Sequence, residues 1–305
     1  GAIEGITCSG KGVYKSIDGG QIWSPINIGL PENSLTYMLA LAPTNPATLY
    51  VATATQTHDG IFRSTNGGET WSPINNGLTT DGRHIHVEPI IDPSMPSTIY
   101  IGTEDGIFKS TNAGDSWFSA NNGMPLTEIL IQAIDPVNPS VLYASPHYED
   151  EEGYHRDGGL YKTIDGGANW QPVNNGLPDI TTSESNVNAV SIDPINRQIV
   201  YAGTDGGGVF KSTNGGESWG PFNNGLANKC VLEILINPAS PAELYIGTWG
   251  DGVFCTVDGG GNWRSGGLLN SIVAALVFDP SSPSIIYAGK VKSGVVKGVI
   301  NKATL

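Results

Sequence analysis

Short hydrophobic runs alternate with turn-forming residues along the whole chain. In one representative unit the runs are Leu35 to Ala42, Thr48 to Thr53, Gly60 to Ser64 and Thr70 to Asn75. These runs have the length of β-strands, and Gly, Pro, Asn and Asp cluster between them. No segment shows the 3.6-residue apolar period of an amphipathic helix. The pattern therefore predicts an all-β protein made of four-stranded antiparallel units.

An eight-residue segment, which we call the box, occurs six times along the chain. Each box begins with Ser or Thr, has Asp or Asn at its third position and ends with Trp. Successive box tryptophans are 44 to 53 residues apart, a period typical of ring-like or stacked repeat proteins. The copies are Ser16–Trp23, Ser64–Trp71, Ser110–Trp117, Thr163–Trp170, Ser212–Trp219 and Thr256–Trp263.

The third box position indicates that the boxes are structural. A metal ligand or a catalytic acid would not be replaced by a neutral amide in half of six equivalent places. Ser, Asn and the central glycines are instead typical of a braced turn, which the tryptophan can cover with apolar surface. The third residues are Asp18, Asn66, Asn112, Asp165, Asn214 and Asp258, and the last are Trp23, Trp71, Trp117, Trp170, Trp219 and Trp263.

With the six boxes aligned, the chain resembles the BNR or Asp-box repeat family, whose motif is S/T-x-D-x-G-x-x-W. The resemblance implies a β-propeller in which each box lies between the third and fourth strands of a blade. The repeats are most similar to those of xyloglucanase-type glycosidases. They are also similar to those of sialidases, the sortilin luminal domain and photosystem II assembly propellers.

We predict one domain over residues 1–305 that contains six four-stranded blades, with seven as the alternative. Pairing of the N- and C-terminal strands is expected to close the ring, because a closed ring leaves no sheet edge exposed. The predicted blades are about 35–78, 79–124, 125–177, 178–226 and 227–267, with a closing blade formed by 268–305 and 1–30.

The charge balance argues against nucleic acid as a partner. The net charge is −14, with 15 basic and 29 acidic residues. Five basic residues occupy one repeat position, so no basic patch remains for phosphate groups. The longest apolar stretch, Ile272 to Phe278, is too short to span a bilayer, and no membrane insertion is expected. No signal peptide is visible, yet we expect a secreted or extracytoplasmic protein, and no cofactor is predicted.

The three cysteines lie at unrelated points of the repeat and form no metal-binding motif. One disulfide is one alternative, and three buried free thiols are the favoured one. The cysteines are Cys8, Cys230 and Cys255.

The functions of the similar families do not transfer residue by residue. The resemblance to sialidases would require three arginines around a carboxylate, and only Arg83 and Arg156 lie outside repeat or corner positions. Xyloglucanase-type enzymes place two acids across a cleft between two propellers, and one propeller accounts for this chain. The photosystem assembly propellers use an arginine-rich face, which this sequence lacks.

Loops that interrupt the repeat are the predicted functional positions, because loops tolerate change and carry binding sites. Two loops between second and third strands are enlarged, 54–59 and 146–157, as are the blade connections 79–86 and 178–188. All five histidines fall in or beside these loops. The predicted ligand-binding residues are His58, Arg83, His84, His86, His147, Tyr148, Tyr154, His155, Arg156 and Trp249.

Three interpretations of these loops remain open. His58, His84 and His86 could bind a metal, although their spacing matches no known motif. The aromatic residues and carboxylates could bind a glycan or a peptide. The third interpretation is a hydrated acidic loop with incidental histidines. For glycosidase chemistry, which needs paired carboxylates, the weak candidates are Asp59, Asp81, Asp150 and Asp157.

The sequence therefore favours a non-catalytic binding or assembly module that recognises a protein or a polysaccharide through the loop rim of blades one to three. A glycoside hydrolase of xyloglucanase-like type, or an accessory fragment of one, is the first alternative. A structural subunit of a larger extracellular assembly is the second alternative.

Overall fold

A computed structural model describes residues 5–9, 12–18, 21–32, 34–54, 60–78, 89–149, 155–179, 186–279, 282–291 and 294–299. All 27 elements in these ranges are β-strands, so the predicted all-β class is confirmed. The chain divides into two compact units. One comprises Gly1–Pro146 with Thr163–Trp170, and the other comprises His147–Lys162 with Gln171–Leu305.

The first three sheets follow one another along the chain, and the second and third have four antiparallel strands each. Sheet 1 comprises β1 (Gly5–Ser9), β2 (Gly12–Ser16) and β3 (Ser24–Pro25). Sheet 2 comprises β4 (Leu35–Ala42), β5 (Asn45–Ala54), β6 (Gly60–Ser64) and β7 (Ser72–Pro73). Sheet 3 comprises β8 (Ile90–Ile91), β9 (Ile99–Thr103), β10 (Gly106–Ser110) and β11 (Phe118–Ser119).

Sheet 4 has a fifth strand. Its order is β12 (Glu128–Ile134), β13 (Leu142–Glu149), β15 (Tyr161–Thr163) and β16 (Gln171–Pro172), and β14 (His155–Asp157) pairs with the end of β13. The additional strand lies in the segment that lengthens the repeat at this point.

Sheets 5 to 7 complete the described strands. Sheet 5 comprises β17 (Val187–Ile192), β18 (Val200–Thr204), β19 (Val209–Ser212) and β20 (Gly220–Pro221). Sheet 6 comprises β21 (Val231–Ile236), β22 (Leu244–Thr248), β23 (Val253–Thr256) and β24 (Arg264–Gly267). Sheet 7 comprises β25 (Val273–Asp279), β26 (Ser282–Lys290) and β27 (Gly294–Val299).

The blade-like order of strands agrees with the predicted repeat, whereas closure of a ring by the chain ends and the predicted domain organisation stay predictions. The described residues contain no helix that is long and apolar enough to cross a membrane.

The first strands are apolar nearly throughout in sequence, which predicts burial on both of their faces, but in three blades the structure buries the second strand more completely than the first. All five residues of β9, β18 and β22 are buried, whereas β12 and β25 mix buried residues with partly or fully exposed ones. The reason is that the second strand has a hydrogen-bonded neighbour on both sides, whereas the first strand lies at the edge of its sheet.

Apolar side chains from neighbouring sheets form the cores. In the first unit, Tyr50 and Ile61 of sheet 2 cluster with Ile99, Phe108 and Trp117 of sheet 3. In the second unit, residues of sheet 5 cluster in the same way with residues of sheet 6. Burial of apolar surface between adjacent sheets is therefore the main contribution to stability within each unit.

The box forms the turn between the third and fourth strands, as predicted. Asn66 Oδ1 accepts hydrogen bonds from Ser64 Oγ (2.8 Å) and from the backbone N–H of Thr70 (3.0 Å). Asp165 Oδ1 accepts the same two bonds from Thr163 Oγ (2.7 Å) and the N–H of Asn169 (2.9 Å). Because one side-chain oxygen accepts both bonds, Asp and Asn can each form this pair of bonds.

The box tryptophan connects its blade to the preceding one, a role that the sequence did not reveal. The indole N–H of Trp117 donates to the carbonyl of Ile74 (2.6 Å), and its backbone N–H donates to the carbonyl of Asn76 (2.9 Å). Trp71, Trp170, Trp219 and Trp263 repeat both bonds with the blade that precedes each of them. We call this pair of bonds the tryptophan latch.

Candidate binding rim

Most of the predicted loop residues lie outside the described part of the chain, so their roles stay predictions. The described ranges exclude the tip of the 146–157 insertion, the 79–86 connection and almost all of the 54–59 loop. The predicted residues outside the described ranges are His58, Asp59, Asp81, Arg83, His84, His86, Asp150 and Tyr154.

The insertion after β13 forms a β-hairpin where the sequence indicated a loop. His147 pairs with Asp157, Tyr148 with Arg156, and Glu149 with His155. The register therefore brings predicted ligand-binding residues together in one short ladder. The alternating polar and aromatic residues of this segment are compatible with strand pairing.

Trp249 lies on the surface of the second unit, and of the seven tryptophans in the sequence it is the one outside the six boxes. Its side chain is 57% exposed, whereas the five tryptophans of the latches are buried. Trp249 directly follows the second strand of its blade, and Asp205 and Val291 occupy the same position in the blades before and after it.

Two exposed aliphatic residues lie on backbone segments adjacent to the Trp249 loop. Trp249 forms an isolated β-bridge with Ile272, and the Ile272 carbonyl accepts the N–H of Val291, which is 41% exposed. Leu269, 63% exposed, lies on the turn before β25. We call Trp249, Leu269 and Val291 the rim patch. Sequence reasoning missed Leu269 and Val291, although the repeat position of Val291 could have indicated it.

The turn that carries Leu269 is strained. Leu268 and Asn270 have φ values of 56° and 58°, in the left-handed region that non-glycine residues rarely adopt. Gly252, at the end of the Trp249 loop, faces the Leu268 carbonyl so closely that a side chain there would collide with it. The loop and the turn are therefore packed together, and strain of this kind is typical of functional positions.

Polar groups flank the rim patch. Cys230 Sγ donates to Asp205 Oδ1 (2.7 Å), and Asn228 Nδ2 donates to the Trp249 carbonyl (2.9 Å). Burial, followed by the bond to the Asp205 carboxylate, raises the pKa of Cys230 to about 12, so its thiol stays protonated and unreactive at neutral pH.

Both cysteines with described side chains are free thiols. Cys255 is buried as expected, whereas Cys230 is half-buried. The pKa of Cys255 is also raised, chiefly by burial. The side chain of Cys8 lies outside the described part of the structure, so its state stays a prediction.

The described side chains contain no cluster that could hold a metal ion. Within this part of the chain, no three His, Cys, Asp or Glu side chains come close enough to hold a metal ion. The predicted histidine site lies outside it, as do three of the four candidate catalytic acids. The fourth, Asp157, is described by its backbone alone.

Each box contains one carboxylate, a regularity that is visible in the sequence and that sequence reasoning missed. Boxes with Asn at the third position have Glu or Asp at the sixth, and boxes with Asp at the third have no acid at the sixth. The acids at the sixth position are Glu69, Asp115 and Glu217, and their counterparts in the remaining boxes are Gln21, Ala168 and Gly261.

In the boxes of Asp115 and Asp165, the carboxylate lies near a basic residue of the preceding blade. Arg63 forms an ion pair with Asp115 (2.9 Å) and donates to the Ala113 carbonyl. Lys109 donates to the Gly166 carbonyl (2.8 Å); burial lowers its pKa, and Asp92 and Asp165 oppose that effect. The single acid thus provides a countercharge for the cation that joins two blades.

Hydrogen bonds hold the box aspartates in the ionised form. The pKa of Asp165 is lowered to about 2, chiefly by the side-chain bond from Asn169 and then by that from Thr163. The pKa of Asp258 is also lowered to about 2, by Thr256 and then Asn262. A group that stays charged at neutral pH with its oxygens already bonded is suited to bracing a turn and unsuited to proton transfer.

Residues 62–73 match the BNR/Asp-box repeat, which confirms the predicted resemblance. Comparison with curated proteins finds no significant sequence match.

Solved structures of similar fold cover nearly the whole chain. A GH74 enzyme of Niastella koreensis matches with a TM-score of 0.75 and 19% identity, over 99% of this chain and 53% of the enzyme. An ancestral GH74 enzyme matches with a TM-score of 0.68 and 25% identity, over 91% of this chain and 38% of that one. The chain thus spans about half of the first enzyme and less of the second.

A third similar structure has nearly the same length as this chain. YCF48 bound to a D1 peptide matches with a TM-score of 0.67 and 17% identity, over 98% of this chain and 90% of YCF48. The chain has a β-propeller fold. Since similar folds occur in the GH74 enzymes and in a peptide-bound protein, the propeller alone does not determine function.

Proposed function

We propose that the chain is a non-catalytic binding or assembly module that holds a protein or glycan ligand on the rim formed by the loops after its second strands. The observation that carries this proposal is the exposed Trp249 within the rim patch. Trp249 lies in the predicted blade 227–267, whereas the sequence placed the site on the loop rim of blades one to three, and that location stays a prediction. An exposed large aromatic with aliphatic neighbours and nearby hydrogen-bonding groups is typical of the centre of a binding surface.

The charge distribution supports a ligand held by apolar contact and hydrogen bonds. Asp205, Asp251 and Lys229 lie in the loops next to the patch, so charged residues of both signs are present there. Peptides and polysaccharides can both use an aromatic platform of this kind, because each presents an apolar face flanked by hydrogen-bonding groups.

The fold comparisons are compatible with this proposal. YCF48, a protein of the same fold and similar length, is seen with a peptide. The GH74 similarity supports the alternative of a glycoside hydrolase or an accessory fragment of one. That alternative requires two carboxylates at roughly 5–10 Å on facing loops.

A binding screen tests the proposal. Wild type, Trp249→Ala and a deletion of residues 147–156 are applied to arrays of polysaccharides and peptides, with thermal unfolding as the check of folding. We expect Trp249→Ala to weaken ligand binding by roughly 30-fold, which corresponds to about 2 kcal/mol for a central aromatic residue. Equal binding by wild type and a folded Trp249→Ala protein would reject the rim patch as the site.

The deletion variant and a hydrolysis assay test the β13–β14 hairpin and the hydrolase hypothesis. Loss of binding in the deletion variant would add the hairpin to the site. Release of sugar by wild type and its loss in Asp157→Asn would favour the hydrolase. Export of the chain and membership of an extracellular assembly stay predictions, and native sizing of the exported protein checks both.

A further inference from the structure

The chain contains six Asn-Gly pairs, and the structure divides them into two groups. Two lie in boxes, and four lie in the turn that follows a fourth strand. We propose that the four turn asparagines are sites of spontaneous deamidation and that the two box asparagines are protected. The turn sites are Asn76, Asn122, Asn175 and Asn224, and the box sites are Asn66 and Asn214.

The reaction uses only the chain and water. The backbone nitrogen of the glycine attacks the side-chain carbonyl carbon of the asparagine, a C–N bond forms and ammonia leaves with the amide nitrogen. Water then opens the cyclic imide at one of its two carbonyls and gives aspartate or isoaspartate. Glycine favours the attack because it has no side chain to obstruct the approach of its nitrogen.

Both reacting groups are restrained in the boxes. The N–H of Gly67 donates to the Ala47 carbonyl, and the N–H of Gly215 donates to the Gln198 carbonyl, each at 2.8 Å. The side-chain oxygen of Asn66 accepts two hydrogen bonds and that of Asn214 accepts the equivalent two. Attack within a box therefore requires the turn to open first.

The turn asparagines have weaker restraints. The side chain of Asn76 is exposed, and its amide makes one long bond of 3.4 Å to the Asp115 carbonyl. Asn122 and Asn224 are also exposed, but their amides donate at 2.6 Å to Asn169 and Asn262. We therefore expect Asn76 to react before Asn122 and Asn224. Asn175 makes no side-chain hydrogen bond to the described residues. We therefore expect it to deamidate at a rate similar to that of Asn76.

Deamidation at these sites would loosen the tryptophan latch. The carbonyl of Asn76 accepts the backbone N–H of Trp117, and the equivalent carbonyls of the three remaining turns accept Trp170, Trp219 and Trp263. Isoaspartate adds one carbon to the main chain and turns that carbonyl into a free carboxylate. The bond between adjacent blades then loses its geometry.

Peptide mapping by mass spectrometry tests the proposal on the whole chain. The folded protein is kept in mildly alkaline buffer at physiological temperature, and aspartate and isoaspartate are measured at all six pairs over time. We expect the turn sites to react at least roughly tenfold faster than the box sites, a factor that corresponds to about 1.4 kcal/mol. Equal rates at turn and box sites of the folded protein would overturn the proposal, as would no reaction at the turn sites.

Two controls separate the effect of structure from that of sequence. In urea, all six pairs are expected to react at similar rates, and persistence of the turn–box difference there would contradict a structural cause. Ser64→Ala removes a bond to Asn66 and should accelerate reaction at Asn66 but leave Asn214 unchanged in the same molecule. No acceleration at Asn66 in the folded variant would contradict the protection by the box.

Discussion

At the scale of single residues, Oδ1 of the third box residue accepts the same hydrogen bonds whether that residue is Asp or Asn. The other terminal atom of the side chain differs: it is Nδ2 in Asn and Oδ2 in Asp. This atom determines which residue type is favoured at the seventh box position. Asn66 Nδ2 donates to the Thr70 hydroxyl, whereas Asp165 Oδ2 accepts from Asn169 Nδ2. In five of the six boxes the two positions therefore differ together, as donor–acceptor matching requires, and the first box, with Asp18 and Ile22, is the exception.

We predict that Asp165→Asn lowers the melting temperature at neutral pH. The variant brings two amide NH₂ groups together and removes the countercharge near Lys109. Asp165→Asn combined with Asn169→Ser recreates the hydrogen bonds of an Asn box and should recover part of the loss. Thermal unfolding checks both variants.

The difference in melting temperature between wild type and Asp165→Asn is predicted to depend on pH. The pKa of Asp165 is lowered from 3.8 to about 2 in the folded protein. A lowered pKa contributes stability above the unfolded value, and that contribution is lost as the pH falls through the folded value. The difference in melting temperature between wild type and Asp165→Asn should be full above about pH 5 and small near about pH 2. A difference that does not depend on pH would contradict the role of the carboxylate.

We predict that Trp117→Phe costs about 1–3 kcal/mol of unfolding free energy, because the buried Ile74 carbonyl loses its indole donor. Urea unfolding measures the loss. Trp249→Phe is the matched control and should change stability by less than about 0.5 kcal/mol, since its side chain is mostly exposed. Equal losses in the two variants would show that the latch bond contributes nothing specific.

At the scale of elements, the Asn-Asn-Gly turn that follows the fourth strand in four blades is as regular as the box. Asn75 Oδ1 accepts the N–H of Ile61 in the third strand, and Gly77 adopts a φ of 92°. A Cβ on Gly77 would also collide with the Trp117 carbonyl. The glycine is therefore required both by its own backbone conformation and by the adjacent blade.

We predict that Gly77→Ala destabilises the chain by about 1–3 kcal/mol from the positive φ, with a further loss from the collision. Gly220→Ala is the control, because nothing lies within 4 Å of a Cβ there. It should change stability by about 0.5 kcal/mol or less. Chemical denaturation compares the two, and a Gly77→Ala protein as stable as Gly220→Ala would contradict the requirement for glycine.

The sequence predicted the existence and order of these elements better than their lengths. The fourth strand expected over 70–75 is reduced to Ser72–Pro73, because the box turn and the Asn75 turn take up the rest of the segment. The 146–157 insertion contains a paired hairpin, because its residues can continue the ladder of β13. Short-range patterns locate turns but do not show where pairing continues.

At the scale of the whole molecule, repetition made the fold predictable and the site difficult to predict. Six copies of one motif indicated a β-propeller, and the comparisons confirm it. Contacts between blades, such as that of Trp117 with Ile74, join residues far apart in sequence and follow no local pattern. Trp249 was predictable as an irregularity in the repeat. That its loop lies next to the Leu268 turn is visible only in the three-dimensional structure.

The central claim is that the boxes maintain the structure and the rim binds the ligand. The most direct test is a side-by-side comparison of Asp165→Asn and Trp249→Ala. For each variant, the melting temperature and the dissociation constant for the ligand found in the binding screen are measured. We predict that Asp165→Asn lowers the melting temperature and leaves affinity unchanged, whereas Trp249→Ala weakens affinity roughly 30-fold and leaves the melting temperature unchanged. Loss of affinity in a fully stable Asp165→Asn protein, with Trp249→Ala binding like wild type, would contradict the account.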